Sequence, residues 1–349
     1  MSEKKKLSEI CNILNGYAFK SKEYVDDGIR VIRITNVQKG IIEDFDPKYY
    51  DISQKDKLKN YMLKENDLLI SLTGNVGRVG LMPKELLPAG LNQRVGCLRI
   101  KDIDNISIKY LYQYLNSDKF ENECINNSNG IAQKNLSTEW LKDYIITVPS
   151  IEDQKKITNK LENIQKITKT KKEQIKELDE LIKSQFVEMF GLDKYEQLPL
   201  SDCSNFIDYR GHTPEVSNIG DIRMINAKSV GKGVFKYIDE YVTEELKKFA
   251  LGQRVITIQG NEMLNNVYLS TYMQLDEFMN KINQYKTGGT AQGIRSKDLA
   301  KITIPIPPIK LQNKFAEFVK QIDKQKFEIQ KSLEKMQLLQ KSMMNKYFG

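Results

Sequence analysis

"GIAQKNLS", at Gly130–Ser137, returns as "GTAQGIRS" at Gly289–Ser296, about 160 positions later. The octapeptide is too polar to be core, so its recurrence points to a duplicated architecture. Other matches fall in the same chain order. Leu7-Ser8-Glu9 returns as Leu200-Ser201-Asp202, and "IRVIRITNV" (Ile29–Val37) as "IRMINAKSV" (Ile222–Val230), both at an offset of 193. "LNQRV" (Leu91–Val95) returns as "LGQRV" (Leu251–Val255). The chain reads as two similar halves.

After each octapeptide comes a short β-branched segment closed by proline, "YIITVPSIEDQKK" and then "ITIPIPPIKLQNK". That composition predicts a strand that proline stops. Beyond Gln154 and Gln312 the chain is long, highly charged and free of proline, which predicts that each half ends in a long helix. The first helix carries Ile157, Leu161, Ile164, Ile175, Leu178 and Ile182 on a heptad-like seam; the second carries Phe315, Val319, Ile322, Ile329, Leu333 and Met336. Two flanked seams in one register predict that the helices pack on each other as a coiled coil. Helix one leads directly into the second globular region and helix two starts where that region ends, so the pair should be antiparallel. Roughly 37 residues at about 1.5 Å each give a spacer of about 55 Å, comparable with one and a half turns of DNA at roughly 34 Å per turn.

At 349 residues and 40% hydrophobic content the chain can bury two ordinary cores. Its net charge of +8 admits a polyanionic partner without requiring one. It contains no apolar run of membrane-spanning length, and "MSEKKKLSEI" has no apolar stretch behind its lysines, so neither a span nor a signal peptide is expected and the location should be cytoplasmic. Cys11, Cys97, Cys124 and Cys203 are scattered without CxxC spacing and the lone His212 has no ligand-like neighbours, so packing thiols are expected rather than a metal site or a Cys-His nucleophile.

The globular regions read as mixed α/β, with strands such as "RVIRITNV", "DLLISLTG" and "VGCLRI" and a helical "IKYLYQYLNSDKFENECI". Cationic and amide side chains gather near strand ends: Arg30, Arg33, Thr35, Asn36, Gln38 and Lys39 in the first half, Arg223, Asn226, Lys228 and Lys232 in the second. Arg and Lys pair with guanine edges, Asn and Gln with adenine edges, and either cation with phosphate. The residues alone leave open whether these groups read DNA or are solvated strand ends. The same holds for Gln93-Arg94 and Gln253-Arg254, and for the "AQ" of each octapeptide, which could cap a helix or touch DNA.

With "GYAFKSKEYVDDGIRVIRITNV", "NDLLISLTGNVGRVG", "LNQRV", "GIAQKNLS" and "VPSIEDQKKI" in the first half, and "GGTAQGIRS" and "IPPIKLQNKF" in the second, the sequence resembles the specificity subunits of Type I restriction-modification systems over nearly its whole length. The resemblance implies two α/β target-recognition domains separated by an antiparallel coiled coil. The expected division is 1–150 for the first domain, 151–191 for the first spacer helix, 192–308 for the second domain and 309–349 for the second helix. It implies a non-catalytic subunit without cofactor that binds a bipartite double-stranded DNA target, one half-site per domain. The helical pair would set the gap and dock methyltransferase subunits, to which motor-nuclease (restriction) subunits can add. Carried onto this chain, the DNA-contacting candidates are Lys20, Lys22, Arg30, Arg33, Asn36, Thr73, Asn75 and Arg78, then Tyr209, Arg210, His212, Arg223, Asn226 and Lys228.

The second half departs from the pattern. If Leu58–Met62 corresponds to Leu246–Ala250, 29 positions separate Met62 from Leu91 but one separates Ala250 from Leu251, so 29 − 1 = 28 residues are missing there. They correspond to "NDLLISLTGNVGRVG" and its surroundings. A defective reader with only its first domain active is therefore one alternative, and a coiled-coil scaffold that binds no DNA is another. An enzyme is not expected. The nearest string to an aminomethyltransferase loop, Asp46-Pro47-Lys48-Tyr49, has lysine where a second proline belongs; "GNVGRVG" reads as a turn; and no P-loop, nuclease or Ser-His-Asp pattern stands out.

Overall fold

The computed structural model describes residues 2–130, 134–191, 194–208, 255–286 and 293–349, with short segments at 216–217, 222–225, 228–231, 234–235, 241–242 and 250–251. The chain forms two compact units, Met1–Thr170 with Glu334–Gly349, and Lys171–Leu333.

The first unit is built on an antiparallel four-stranded sheet in the order Cys11–Asn15, Val95–Ile100, Leu68–Ser71, Val79–Leu81. Leu68–Ser71 is buried along its whole length, as its unbroken apolar run requires of a strand covered on both faces. A second sheet places Ile29–Ile32 between Tyr49–Tyr50 and Ala89–Leu91, the last running parallel. The small hairpin Val37–Gln38/Ile41–Ile42 packs against Val79–Leu81 at Gly80, where an added Cβ would stand 2.7 Å from the Ile41 backbone. Only glycine permits that approach. Helices Ile108–Leu115, Asp118–Asn126 and Thr138–Asp143 cover the larger sheet, and Tyr110, Leu111, Phe120 and Leu141 join its core.

In the second unit Ser204–Asp208 pairs with Ile256–Gly260, and a four-stranded sheet runs Val216–Ser217, Tyr241–Val242, Ile222–Ile225, Ala250–Leu251. Its core is aromatic, with Phe186, Phe190, Tyr268, Tyr272, Phe278 and Phe315.

Two 40-residue helices, Ile151–Phe190 and Ile309–Phe348, contribute to both units. Counted from Gln154 and Gln312 each helix runs the roughly 37 residues expected, and each begins three residues earlier, at Ile151 and Ile309. In the second unit Phe186 and Phe190 meet Phe315 at 5.3 and 5.5 Å, while Asp179 pairs with Lys326 at 2.6 Å. Partners thus advance in opposite directions along the two helices, which are antiparallel. In the first unit Ile157 and Leu161 share a core with Met344 and Phe348, and Phe348 stacks edgewise on Tyr110 and Tyr114, each at 5.5 Å. All twelve seam residues named from the sequence are buried or half-buried.

The duplication extends to individual hydrogen bonds. Gln154, fully buried, accepts from Ser107 N at 2.8 Å and donates to the Asn105 and Pro149 carbonyls at 3.0 and 2.9 Å. Gln312, also fully buried, accepts from Asn265 N at 2.8 Å and donates to the Met263 and Pro307 carbonyls at 3.0 and 2.7 Å.

Candidate nucleic-acid interface

In the first unit the strand-end residues surround two clefts that share Ile34 and Thr35. One, of about 420 Å³, lies between the small hairpin and the turn joining Leu68–Ser71 to Val79–Leu81, with Gln38, Phe45, Thr73, Asn75 and Arg78 on its walls. The other, of about 330 Å³, is lined by Phe19, Arg33, Asn92, Gln93 and Arg94.

The turn owes its shape to Gly74 and Gly77, at φ +73° and +83°, conformations that glycine adopts without strain. "GNVGRVG" is thus a hairpin turn. Its rim is pinned by the first octapeptide: Gly74 N donates to Lys134 O and Leu136 N to Leu72 O, both at 2.8 Å. Ser137 then caps the next helix by accepting from Glu139 N at 3.1 Å. This accounts for the polar octapeptide in the first half, where it clamps the hairpin and starts a helix. Ala132-Gln133 and the second copy's Ala291-Gln292 lie outside the described residues.

At the second cleft Arg33 bonds Asp46 through its carbonyl at 2.5 Å and its carboxylate at 3.0 Å. Lys48 and Arg33 together hold the Asp46 carboxyl below its ordinary range. Arg78 donates to the Gln38 amide oxygen, and Gln38 donates to Thr35 O at 3.0 Å. Asn75, Thr35, Gln93 and Arg94 are exposed, and Thr73 is nearly buried at the cleft wall. Lys20 and Lys22 are exposed on the segment before the second sheet, with Lys20 3.5 Å from Glu23.

Two sequence-derived candidates are placed inside the fold instead. Arg30 is 3% exposed: its guanidinium binds Asp44 at 2.7 Å and lies 5.6 Å over the Tyr49 ring. Asn36 is completely buried; its side chain accepts from Arg33 N at 2.9 Å and donates to the Glu43 and Phe45 carbonyls at 3.0 and 2.9 Å. Neither side chain is presented to a ligand, because each is committed to holding the loop 43–46. Lys39 likewise turns to Asp118 and Glu121, at 3.0 and 2.5 Å.

In the second unit Arg223 lies in the strand Ile222–Ile225, opposite Tyr241, and Lys228 is exposed in the turn that follows. Tyr209, Arg210, His212, Asn226, Lys232 and Gln253-Arg254 lie outside the described residues. The sequence reading missed Phe45, which is 68% exposed on the cleft wall. Its signal was a single apolar residue among acids in "EDFDP".

The pattern of the Type I restriction modification DNA specificity domain matches residues 1–178 and 215–339. The chain belongs to this family. Similar curated members are the Type I restriction enzyme EcoAI specificity subunit of Escherichia coli, 32% identical over 46% of this chain and 27% of that protein, and the MjaVIII specificity subunit of Methanocaldococcus jannaschii, 26% identical over 50% and 42%. The chain therefore matches less than half the length of these relatives. Among solved structures, the S subunit of a Type I restriction-modification system from M. genitalium shares the fold at TM-score 0.56 and 15% identity, covering 100% of this chain and 96% of that one. A chain from a type I system solved for its complex assembly and conformational transition does so at 0.61 and 14%, covering 99% and 97%.

Members of this specificity family are generally non-catalytic. All four cysteines are buried and free, and burial pushes Cys11 up to about 12 and Cys203 to about 11, with Cys97 and Cys124 higher still. None is a ready thiolate at neutral pH. Among the described residues there is no cluster of His, Cys, Asp or Glu placed to hold a metal ion, and no helix long and apolar enough to cross a membrane.

Proposed function

We propose that this chain is the DNA-reading subunit of a cytoplasmic Type I modification complex. It binds a bipartite double-stranded target, one half-site per recognition domain, and has no catalysis or cofactor of its own. The observation that carries this reading is the convergence of Thr35, Gln38, Asn75, Arg78, Gln93 and Arg94 around two adjoining clefts at strand ends of the first unit. These are amide, hydroxyl and guanidinium groups on a rigid scaffold, the chemistry that reads base edges and holds phosphate. We assign 1–150 and 192–308 as the readers, and 151–191 and 309–349 as the spacer that docks methyltransferase subunits, with restriction subunits joining through them. Lys20, Lys22, Arg33, Thr73 and the second-half candidates remain proposed contacts. Arg30 and Asn36 become supports of the reading surface.

The missing 28 residues favour one variant of this reading. In the first unit the corresponding stretch holds two strands of the main sheet and the turn with Asn75 and Arg78, so the second domain reads its half-site with fewer contacts.

The test is sequencing of methylated bases in cells carrying the chain and its methyltransferase, against cells lacking the chain. A split motif that disappears with the chain supports the proposal; an unchanged methylation pattern argues for a scaffold or an inactive reader.

A further inference from the structure

We propose that Phe45 is a thymine reader, its ring contacting the 5-methyl group of a thymine in the half-site read by the first domain. This rests on the DNA-binding reading above and adds to it a specific base feature and the residue that senses it.

Exposure alone would say little, since single exposed apolar side chains are ordinary. Val25 and Ile52 are also exposed, but the shallow depression they line holds Asp27 and Asp51 and, among its lining residues, no cationic or amide side chain to engage a base or phosphate. Phe45 differs in its mounting. The buried Asn36 amide grips the carbonyls of Glu43 and Phe45 from beneath. Asp46, next in the chain, sits at φ +47° and is held by Arg33 and by Lys48, the latter at 2.9 Å. Asp44, on the other side, is held by Arg30. Three consecutive residues are thus anchored through buried or ion-paired groups while the ring between them stays in solvent. Fixing a backbone costs roughly 1–2 kcal/mol per residue in conformational entropy, and no core contact of Phe45 offsets that cost. The arrangement pre-organises an apolar surface for a ligand.

The surroundings identify the ligand. The ring shares its cleft with Thr35, Gln38, Asn75 and Arg78, and with the exposed carboxylate of Glu43; the first four suit hydrogen-bonding groups on base edges, and a carboxylate accepts from a cytosine amino group. In the major groove the one apolar feature of a base pair is the thymine methyl, for which an aromatic ring is a fitting contact. A cleft that sets an exposed aromatic ring among polar side chains matches an A·T pair beside hydrogen-bonded neighbours.

The test uses the full complex with methyltransferase and duplexes carrying its methylated motif. Deoxyuridine replaces thymidine one position at a time, removing only the methyl group. One such replacement in the first domain's half-site should weaken binding by about 4-fold, the worth of one buried carbon group, and should have no effect in Phe45→Ala. Phe45→Leu should retain part of the sensitivity. Phe45→Ala should fold normally and keep its preference at the other positions. A half-site without an A·T pair, no sensitive position, or a sensitivity that persists in Phe45→Ala would overturn the assignment while leaving DNA binding intact. No binding by the unaltered complex would instead overturn the DNA reading, and this assignment with it.

Discussion

Gln154 and Gln312 stand 158 positions apart (312 − 154 = 158), and each makes the same three hydrogen bonds, two to the turn before a shorter helix and one to the proline carbonyl just ahead of its own long helix. The partners move by the same interval: Ser107 to Asn265, Asn105 to Met263, Pro149 to Pro307. A buried amide that satisfies one N–H and two carbonyls leaves little freedom in how the helix leaves its domain. The joint that orients the spacer is therefore duplicated bond for bond.

Replacing Gln154 by Leu keeps its bulk and strands those partners in a buried site. An unsatisfied buried group costs about 1–3 kcal/mol, so Gln154→Leu should lower stability by at least about 2 kcal/mol, with Gln312→Leu acting similarly on the second unit. Urea denaturation followed by circular dichroism reads this, and an unchanged midpoint would show that the joint is dispensable.

Arg78 faces the cleft with its guanidinium on Gln38. If it reads a guanine edge, Arg78→Ala should cost about 1–3 kcal/mol at one base position and relax the preference there. If it holds phosphate, the loss should be uniform across sequences, with a salt slope smaller by about one. Titrations of the complex against single-base variants at two salt concentrations separate the two, and unchanged affinity removes Arg78 from the site.

Much of this architecture was legible because it rests on periodicity and repetition. The octapeptides, the proline-closed strands and the two seams are local patterns, and the helices pack through the residues those patterns name. Arg30 and Asn36 were not legible as supports, because their partners are 14, 7 and 9 positions away in a loop without regular structure. Ile29–Ile32 is buried on both faces, so alternation along "IRVI" does not bring Arg30 to solvent. Phe45 escaped for the complementary reason: its environment is set by tertiary contacts of its neighbours, and its own side chain joins no pattern.

The lip around Asp46 should respond to acid. Lys48 and Arg33 lower its pKa beneath the ordinary 3.8, so the folded state binds this proton more weakly than the unfolded chain. Its contribution to stability is present above the unfolded value and is lost as pH falls through the folded one. An NMR titration of the Asp46 carboxyl should give a midpoint below 3.8, Lys48→Ala should raise it, and Arg33→Ala should raise it less. A midpoint that ignores both substitutions would mean that the ion pairs do not form in solution.

The spacer offers a prediction that separates packing from recognition. Leu333 is 5% exposed and Leu178 half-buried, both on the helix pair of the second unit. A charge placed at a buried apolar position must be desolvated without a partner or must force the helices apart. Leu178→Glu combined with Leu333→Glu should therefore unfasten the pair, lower helical content and abolish co-purification with methyltransferase, while leaving Arg78, Asn75 and Phe45 in a folded first unit. Isothermal calorimetry against the partner, with hydrogen exchange across residues 11–100 as the folding control, distinguishes the outcomes. Intact assembly would count against the helices as the docking surface, whereas lost protection in the first unit would show that the domains depend on the spacer for their own stability.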